Sequence, residues 1–221
     1  MIGTLFGPAA VGKDTVLNEL TKNSNLYYKI VNNTTRQPRL GEQEGLDYHF
    51  IDRVYHDKLI NNGAYLTSNF VHKRHYGVER TEVEKAWHNH QIPVGHFGIN
   101  DHDQLWRIQE VEEIELRSVV LLTKDFNSWQ QRMRLRIAQK FIDEAELHLR
   151  ARSAYDELIF VCQNIGHFAL IQSEVLAPTI FAVDHYYQTG ESASVQPSRI
   201  DNLIEDFDYF IKRYSCGENN E

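Results

Sequence analysis

The start of the chain places a glycine-bearing loop between an apolar segment and an amphipathic one. Ile2 to Phe6 is a short apolar run typical of a buried strand, and Lys13 to Lys22 has the apolar spacing of a helix. The loop itself, GPAAVGK over residues 7–13, fits the pattern G-x-x-x-x-G-K. Between a strand and a helix, this pattern surrounds the phosphates of a nucleoside triphosphate with backbone N–H groups. The sequence therefore predicts a P-loop in an α/β protein.

Each position of the loop has an expected role toward ATP. The glycines let the backbone curl so that successive N–H groups face a phosphate, and the Lys13 ammonium reaches the β- and γ-phosphates. The alternative is a glycine turn before a helix with an incidental lysine, and the flanking strand and helix make it the weaker interpretation. The predicted ATP-binding residues are Gly7, Ala10, Gly12, Lys13, Asp14 and Thr15.

The position after Lys13 departs from the usual motif. Asp14 stands where a Ser or Thr hydroxyl normally contacts Mg²⁺, and Thr15 comes one residue later. A carboxylate is a good hard-oxygen ligand, so Asp14 is the candidate metal ligand and Mg²⁺ is the expected cofactor beside ATP. An equally supported alternative is that the Asp14 carboxylate only complements the partial positive charge at the N-terminus of the helix.

The rest of the chain alternates between strand and helix patterns, which implies a parallel sheet. Val119 to Thr123 and Phe168 to Gln172 are apolar runs typical of buried parallel strands, and a weaker strand is expected near Ile92 to Phe97. Phe126 to Val161 has an arginine-rich helical pattern, whereas Tyr65 to Gly77 is expected to be irregular. We therefore expect an α/β fold with a central parallel sheet flanked by helices.

Composition narrows the class of protein. The 221 residues are 42% hydrophobic with a formal net charge of -8, which suits one α/β domain and argues against a surface that coats nucleic acid. No apolar run approaches the roughly 20 residues that span a bilayer, so no membrane span is expected. No basic and apolar leader precedes the loop, which predicts a cytoplasmic protein. Cys162 and Cys216 form neither a disulfide pattern nor a zinc motif.

The C-terminal segment, residues 190–221, is expected to be a linker followed by one amphipathic helix. Ser198 and Asp201 have the spacing of a capping box at the start of that helix. We expect the helix to dock on its own domain, and a homodimer contact is the alternative. The apolar residues that share one helical face are Ile200, Leu203, Ile204, Phe207, Phe210, Ile211 and Tyr214.

Residues 34–50 have the sequence TTRQPRLGEQEGLDYHF, which combines arginines, glycines and a tyrosine without periodicity. Arg36 and Arg39, separated by a turn-forming Gln-Pro, can both bind one phosphate, and the Tyr48 hydroxyl adds a donor. A solvent-exposed connecting loop is the plain alternative. The pattern indicates recognition of an anion, so the phosphoryl acceptor is expected to carry a phosphate itself.

The order of these motifs resembles that of the guanylate kinase family. The pattern TTRxPRxGExxGxDYxF follows the P-loop, and Tyr76 with Gly77 resembles the family's Tyr-Gly pair. The apolar run Val119 to Thr123 resembles the strand before the lid. The resemblance extends over residues 1–187. The lid arginines that it implies are Arg132, Arg134, Arg136 and Arg150.

The resemblance implies a role for each part of the chain. Residues 1–189 would form the kinase domain, with an acceptor-binding segment near 32–90 and an arginine-rich lid near 130–150. ATP would donate its γ-phosphoryl group to a phosphorylated small molecule, and GMP is the acceptor that the family implies. Lys13, Arg136 and Arg150 would be the catalytic residues, stabilising charge on the transferring group. The implied acceptor-binding residues are Asn32, Arg36, Arg39, Tyr48, Thr67, Tyr76 and Val78.

Two departures from the family pattern concern the acceptor. Thr67 and Val78 stand where a glutamate and a Ser or Thr read the guanine edge, and His96 and Gly98 stand at acidic positions of a following strand. With fewer hydrogen-bond partners for guanine, the sequence alone predicts that GMP is a weak acceptor. Gly-Lys-Asp also resembles ribose 1,5-bisphosphate phosphokinases, so such an enzyme is the alternative. A non-catalytic guanylate-kinase-like binding module is a third hypothesis, and Gly7, Gly12 and Lys13 weigh against it.

Overall fold

Strands and helices alternate along most of the chain in the computed structural model. The structure describes residues 1–39, 41–71, 73–139, 141–192 and 195–215, and it describes residues 214 and 215 by their backbone alone. The strands among these residues are β1 (Ile2–Phe6), β2 (Tyr27–Lys29), β3 (Asn33–Thr34), β4 (His49–Phe50), β5 (Tyr65–Val71), β6 (Arg74–Glu79), β7 (Ile92–His96), β8 (Leu116–Leu122) and β9 (Ala169–Gln172). The α-helices are α1 (Lys13–Asn23), α2 (Arg53–Asn61), α3 (Arg80–His88), α4 (Ile99–Glu112), α5 (Phe126–Ala138), α6 (Glu144–Gln163), α7 (Leu176–Thr189) and α8 (Ser198–Ser215).

The larger sheet has five strands in the order β2-β7-β1-β8-β9. β2 pairs in parallel with β7, Tyr27 opposite Ile92, and β8 pairs in parallel with β9, Val119 opposite Ala169. Every residue of β1 is buried, as expected for a strand covered on both faces. The predicted parallel sheet with flanking helices is therefore confirmed. No helix in the described ranges has the length and apolar character to cross a membrane.

The chain divides into two compact units, of which the first comprises Met1–Thr4 and Leu17–Leu116. Its core contains Ile2, Ile30, Leu66, Val78, Val83, Phe97 and Leu105. It also holds a smaller sheet in the order β4-β3-β6-β5.

The expectation that Tyr65 to Gly77 is irregular is wrong. The segment forms an antiparallel hairpin of β5 and β6, in which Asn69 lies opposite Tyr76, and β6 also pairs with β3. Lys73 has a φ of 62° at the connection of the two strands. The buried residues of the two strands are adjacent pairs, Leu66 with Thr67 and Gly77 with Val78, so the segment lacks the alternation of apolar and polar residues that predicts a strand.

The second unit comprises Leu5–Val16 and Arg117–Glu221. The arginine-rich helical stretch is two helices, because Asp125 and Asp143 cap the N-termini of α5 and α6 through the N–H groups of Ser128 and Glu146. A buried tryptophan, Trp129, lies on the inner face of α5.

The C-terminal helix α8 packs within this second unit against α5 and α6, as the sequence favours. Phe207 is 1% exposed, and its ring makes an edge-to-face contact with Phe126 at a centroid distance of 4.9 Å. Phe210 stacks on His148 at 5.0 Å. The apolar face of the helix is therefore covered by its own chain.

This packing predicts how two neighbouring aromatic residues of α8 differ in their contribution to stability. Phe207→Ala leaves a cavity and should lower the free energy of unfolding by about 3–5 kcal/mol. Tyr209→Ala is the matched control, because Tyr209 is 67% exposed, and it should change that free energy by about 0.5 kcal/mol or less. Urea unfolding of both variants measures the difference. Equal destabilisation would show that α8 does not dock through Phe207.

Candidate active site

The loop between β1 and α1 has the backbone conformation that its glycines permit. Gly7 and Gly12 have φ values of 126° and 97°, and Ala10 has a φ of 66°. A Cβ atom at Gly7 would overlap the carbonyl oxygen of Leu121 on β8. Position 7 therefore requires glycine for two reasons, its φ value and the close approach of the backbone of β8.

Two side chains from distant parts of the chain donate hydrogen bonds to carbonyl groups of this loop. The indole N–H of Trp129 donates to the Ala9 oxygen at 3.0 Å, and the Ser173 hydroxyl donates to the Val11 oxygen at 2.6 Å. Because the carbonyl oxygens are bound by these donors, the loop is fixed with its carbonyls directed toward the protein. The opposite, N–H-bearing side of the backbone is the side that suits a phosphate.

Arg132 belongs to the same set of contacts. Its guanidinium donates to the Ala10 and Val11 oxygens at 3.4 Å each and to the Ser173 oxygen at 2.5 Å. It also lies 3.6 Å from a Glu174 carboxylate oxygen. The sequence predicted Arg132 as a lid arginine, but the structure shows it supporting the phosphate loop.

Lys13 is the first residue of α1, and its side chain reaches back to the start of the loop. Its Nζ donates to the carbonyl oxygens of Gly7 and Pro8, the latter at 2.9 Å. Burial lowers the pKa of the Lys13 ammonium, the carboxylates of Glu157 and Asp14 raise it, and Arg136 and Arg150 lower it further.

The two predicted catalytic arginines therefore lie close enough to Lys13 to influence its charge. Arg136 is on the last turn of α5, and Arg150 is on α6. The Arg150 guanidinium pairs with Glu146 at 2.5 Å, one helical turn before it. Lys13, Arg136 and Arg150 thus interact electrostatically, and their catalytic role stays a prediction.

Glu157 is a residue of this group that the sequence analysis missed. Its Oε2 atom is buried and has no hydrogen-bond partner among the described residues. Burial raises the pKa of Glu157 to about 7, although the positive charges of Lys13 and Arg150 act in the opposite direction. Glu157 follows Arg150 by seven residues, so both lie on one face of α6. That spacing was the only signal in the sequence.

Asp14 and Thr15 are both exposed in the first turn of α1. No group of three or more His, Cys, Asp or Glu side chains within the described ranges could hold a metal ion. Mg²⁺ does not need such a group, since it is commonly bound by one or two carboxylates together with substrate phosphates and water. An exposed Asp14 next to the phosphate loop fits that mode of binding.

In the first unit, the Arg36 guanidinium forms an ion pair with a nearby carboxylate. Its two terminal nitrogens donate to the two carboxylate oxygens of Glu42, each at 2.8 Å. This pairing lowers the pKa of the Glu42 carboxyl. The Arg36 guanidinium also lies over the Tyr48 ring, 5.2 Å from its centroid. Sequence analysis selected Arg36 and Tyr48 but not the glutamate between them in the chain.

The remaining phosphate-binding candidates lie around the same guanidinium. The rings of Tyr48 and Tyr76 are 6.1 Å apart, and Tyr76 is also hydrogen-bonded to Arg36. Arg39 is exposed, and its backbone N–H donates to Glu42 at 2.7 Å. The structure therefore groups Arg36, Tyr48 and Tyr76, with Arg39 at the edge of the group.

Asn32 and the two predicted base-reading positions have different surroundings. Asn32 Nδ2 donates to the His96 oxygen at 3.4 Å. Thr67 and Val78 are opposite each other in the β5–β6 register. The Val78 side chain belongs to the apolar core, so it is not among the polar side chains gathered here. The Thr67 hydroxyl is buried and is hydrogen-bonded to the carboxylate of Asp101.

A carboxylate that was not selected from the sequence, Asp101, lies next to Thr67. Asp101, in the first turn of α4, accepts from the Gly98 N–H at 2.7 Å and from Asn69 Nδ2 at 2.5 Å. Burial raises the pKa of Asp101, while Thr67 and the two hydrogen bonds lower it. The spacing of Gly98 and Asp101 marks a helix start, but it does not indicate which strand the carboxylate contacts.

Comparisons with known proteins place the chain in a family. The family model described as guanylate kinase matches residues 3–164. The guanylate kinase of Alkalilimnicola ehrlichii is 37% identical over 87 residues, which are 38% of this chain and 43% of that protein. The chain thus aligns with less than half the length of that relative.

Two further comparisons cover more of the chain. The guanylate kinase of Wolinella succinogenes is 31% identical over 155 residues, which are 70% of this chain and 69% of that protein. The crystal structure of the guanylate kinase from Anaplasma phagocytophilum has a TM-score of 0.61 and 20% identity, covering 93% of this chain and 94% of that one, and shows the shared fold. The family match over residues 3–164, together with the P-loop and the arginine segment described above, shows that this chain belongs to the guanylate kinase family.

Proposed function

We propose that this protein transfers the γ-phosphoryl group of ATP to GMP. The observation that carries the proposal is the grouping of Lys13, Arg136 and Arg150 around a phosphate loop whose carbonyls are bound from outside. Phosphoryl transfer needs positioning and stabilisation of charge rather than covalent chemistry by the protein, and this set of residues supplies both. Residues 1–189 would form the catalytic domain, with acceptor segment 32–90 and lid 130–150.

The triphosphate of ATP would lie against the N–H groups of residues 7–15. Lys13 Nζ, which the loop carbonyls of Gly7 and Pro8 hold in place, would exchange those contacts for phosphate oxygens. Asp14 would hold Mg²⁺ directly or through water. When bound, Mg²⁺ neutralises charge on the β- and γ-phosphates.

The acceptor's phosphate would bind to the group formed by Arg36, Tyr48 and Tyr76, joined by the exposed Arg39. Arg36 is already oriented by its two-point pairing with Glu42, so little side-chain entropy remains to be lost on binding. A phosphate dianion bound here would share the guanidinium with Glu42 or displace it.

The lid arginines Arg136 and Arg150 would stabilise the negative charge that spreads over the transferring group. Both arginines lower the pKa of the Lys13 ammonium, so a bound anion would offset the repulsion among these cations. Glu157 supplies part of that relief inside the protein.

The alternatives weighed from the sequence are less well supported. The family match and the retained phosphate loop do not favour a non-catalytic module, and the relatives do not favour ribose 1,5-bisphosphate over GMP. Steady-state assays with GMP, AMP, UMP and ribose 1,5-bisphosphate test this choice. Three expectations from the sequence stay predictions: a cytoplasmic location, a homodimer through α8 and the lack of nucleic-acid partners.

Removal of the loop lysine should abolish catalysis. Lys13→Ala leaves the loop backbone anchored by Trp129 and Ser173, so we expect a folded protein whose kcat with ATP and GMP falls at least about 1000-fold. Lys22→Ala, at an exposed position of the same helix, is the control and should keep the parent kcat. A coupled ADP-release assay measures both. Normal turnover of Lys13→Ala would refute the assignment of the loop.

The arginine group should determine acceptor affinity. Arg36→Ala and Arg39→Ala each remove a charge-assisted hydrogen bond worth about 1.5–3 kcal/mol, so the KM for the acceptor should rise about 10- to 150-fold at saturating ATP. Arg74→Ala, an exposed arginine of the hairpin, should leave this KM unchanged. An acceptor KM equal to that of the parent in both site variants would show that the phosphate binds elsewhere.

Glu157 should make stability depend on pH. Because its pKa is higher in the folded protein, about 7 against an ordinary 4.5, the folded state binds its proton more tightly and stability falls as the pH rises through that interval. Glu157→Gln removes this loss, so the variant should be more stable than the parent at pH 8, by up to about 3 kcal/mol, and similar at pH 4.

Thermal unfolding at both pH values tests this expectation. Glu205→Gln, at an exposed position of α8, should show no such pH dependence. A Glu157→Gln variant that is less stable than the parent at pH 8 would mean that the carboxylate is ionised in the folded protein and stabilised by its cationic neighbours.

A further inference from the structure

The β5–β6 hairpin carries a histidine that lies between helix α2 and the proposed acceptor site. His75 is the second residue of β6 and directly precedes Tyr76. We propose that His75, held in its neutral form by Arg53 of α2, is a positioning residue for the segment that binds the acceptor's phosphate, and that protonation of His75 weakens acceptor binding. This inference rests on the proposed function, since it concerns the affinity of the site proposed for the acceptor.

The ring of His75 is oriented by the arginine of α2. The Arg53 guanidinium donates from Nη1 to Nε2 of His75 at 2.5 Å, and its Nε donates to the Asp57 carboxylate at 2.7 Å. A guanidinium has donors only, so Nε2 of His75 accepts with its lone pair. A proton on Nε2 would occupy that lone pair and place a second cation beside Arg53. The contact therefore exists only while His75 is neutral.

A second histidine, from α2, packs against the same ring. The rings of His56 and His75 have a centroid distance of 4.5 Å, and His56 is fully buried. His56 Nδ1 lies 3.5 Å from the Asp57 carboxylate, and its Nε2 lies 3.5 Å from the Ser68 hydroxyl. Two positive charges at such a distance repel each other, and they do so more strongly in a buried place than in water. The packing therefore favours the neutral form of both rings.

The charged and titratable groups that act on this pair within the described ranges come from α2 and β5. Burial lowers the pKa of His75, Arg53 and His56 lower it further, and Asp57 raises it. Burial also lowers the pKa of His56, while Asp57 acts in the opposite direction. From β5, the Tyr65 ring lies 5.2 Å from that of His56, and burial raises the pKa of its hydroxyl to about 12. The electrostatics thus agree with the geometry.

The backbone of His75 is joined to the phosphate-binding segment. Its N–H donates to the Thr35 hydroxyl at 3.0 Å, and its carbonyl oxygen accepts from the Thr35 N–H at 3.0 Å. Thr35 precedes Arg36, and His75 precedes Tyr76, so these two hydrogen bonds connect the backbone segments that carry both phosphate-binding candidates. Successive side chains of a strand point to opposite faces, so the rings of His75 and Tyr76 lie on different sides of the sheet. His75 therefore acts through the backbone rather than by contact with the phosphate.

The direction of the pH effect follows from these contacts. The positioned form of the hairpin requires a neutral His75, so it binds a proton more weakly than a form in which the Arg53 contact is broken. Lowering the pH through the ordinary histidine pKa of 6.5 therefore shifts the protein toward the broken form. Acceptor affinity should fall with it. Direct attraction between a protonated His75 and a bound phosphate is the rival interpretation, and it predicts tighter binding at low pH.

The experiment measures GMP binding by calorimetry at about pH 7.5 and about pH 5.5 for the parent, His75→Gln and His88→Gln. A glutamine side chain keeps an oxygen that accepts from Arg53 at every pH, so His75→Gln should bind GMP within about twofold of the parent at the higher pH. On acidification the parent Kd should rise about three- to tenfold more than that of His75→Gln. His88, an exposed histidine of α3, is the control, and its variant should follow the parent. Titration of the GMP phosphate affects all three proteins equally.

A second measurement does not depend on the acceptor. The protonation of the His75 ring can be followed by NMR in the parent and in Arg53→Gln, which removes the positive charge and keeps an N–H donor. The midpoint of the His75 titration should rise in this variant, because the charge that opposes protonation is gone. The acidic rise in the Kd for GMP should move to higher pH by the same interval.

The outcomes separate this inference from the proposed function. A parent that binds no GMP at either pH would overturn the proposed function and the effect on acceptor affinity, while the NMR midpoint would still decide whether Arg53 holds His75 neutral. If the parent binds GMP but has the same pH dependence as His75→Gln, or binds more tightly than this variant at low pH, the positioning role is wrong. If His75→Gln does not fold, Arg53→Gln decides, and an unchanged His75 midpoint would contradict the proposal.

Discussion

The phosphate loop depends on side chains that bind the carbonyl oxygens of Ala9, Ala10 and Val11, and Arg132 is the donor to Ala10. The oxygens of Ala9 and Val11 are bound by Trp129 and Ser173, side chains that follow the loop by more than a hundred residues. A peptide unit points its N–H away from its C=O, so binding the oxygens on the protein side directs the amides to the other side. The loop is thus shaped for an anion before any ligand arrives, and the cost of ordering it is met by folding.

Charge around Lys13 is balanced by the same part of the protein. Two arginines and a buried lysine repel one another, and a carboxylate at Glu157 offsets part of this repulsion while losing its own hydration. Neither Lys13 nor Glu157 therefore has its ordinary pKa. Such opposed shifts are common where a protein keeps charge ready for a substrate.

The parts that were predictable from the sequence are those with local signals. The strand-loop-helix opening and the face of α8 depend on residues close in the chain, and the structure has them where the periodicity placed them. The β5–β6 hairpin was missed because its buried residues do not alternate along the strands. Glu157 was missed because it lies near Lys13 only in the folded protein, and the two residues are far apart in sequence. Family resemblance identified Arg36 and Tyr48, but it did not indicate that Glu42 already occupies the guanidinium.

That last contact makes Glu42 an internal counter-ion of Arg36, and a competitor for any anion that binds at the proposed acceptor site. The carboxylate uses both terminal nitrogens of Arg36 at 2.8 Å, so an external anion must outcompete a partner whose effective concentration is high. Chloride and singly charged metabolites offer too little in return for breaking a two-point contact. A phosphate dianion with three oxygens offers more. If the acceptor's phosphate binds at Arg36 as proposed, the pair sets an affinity threshold that disfavours weakly bound anions.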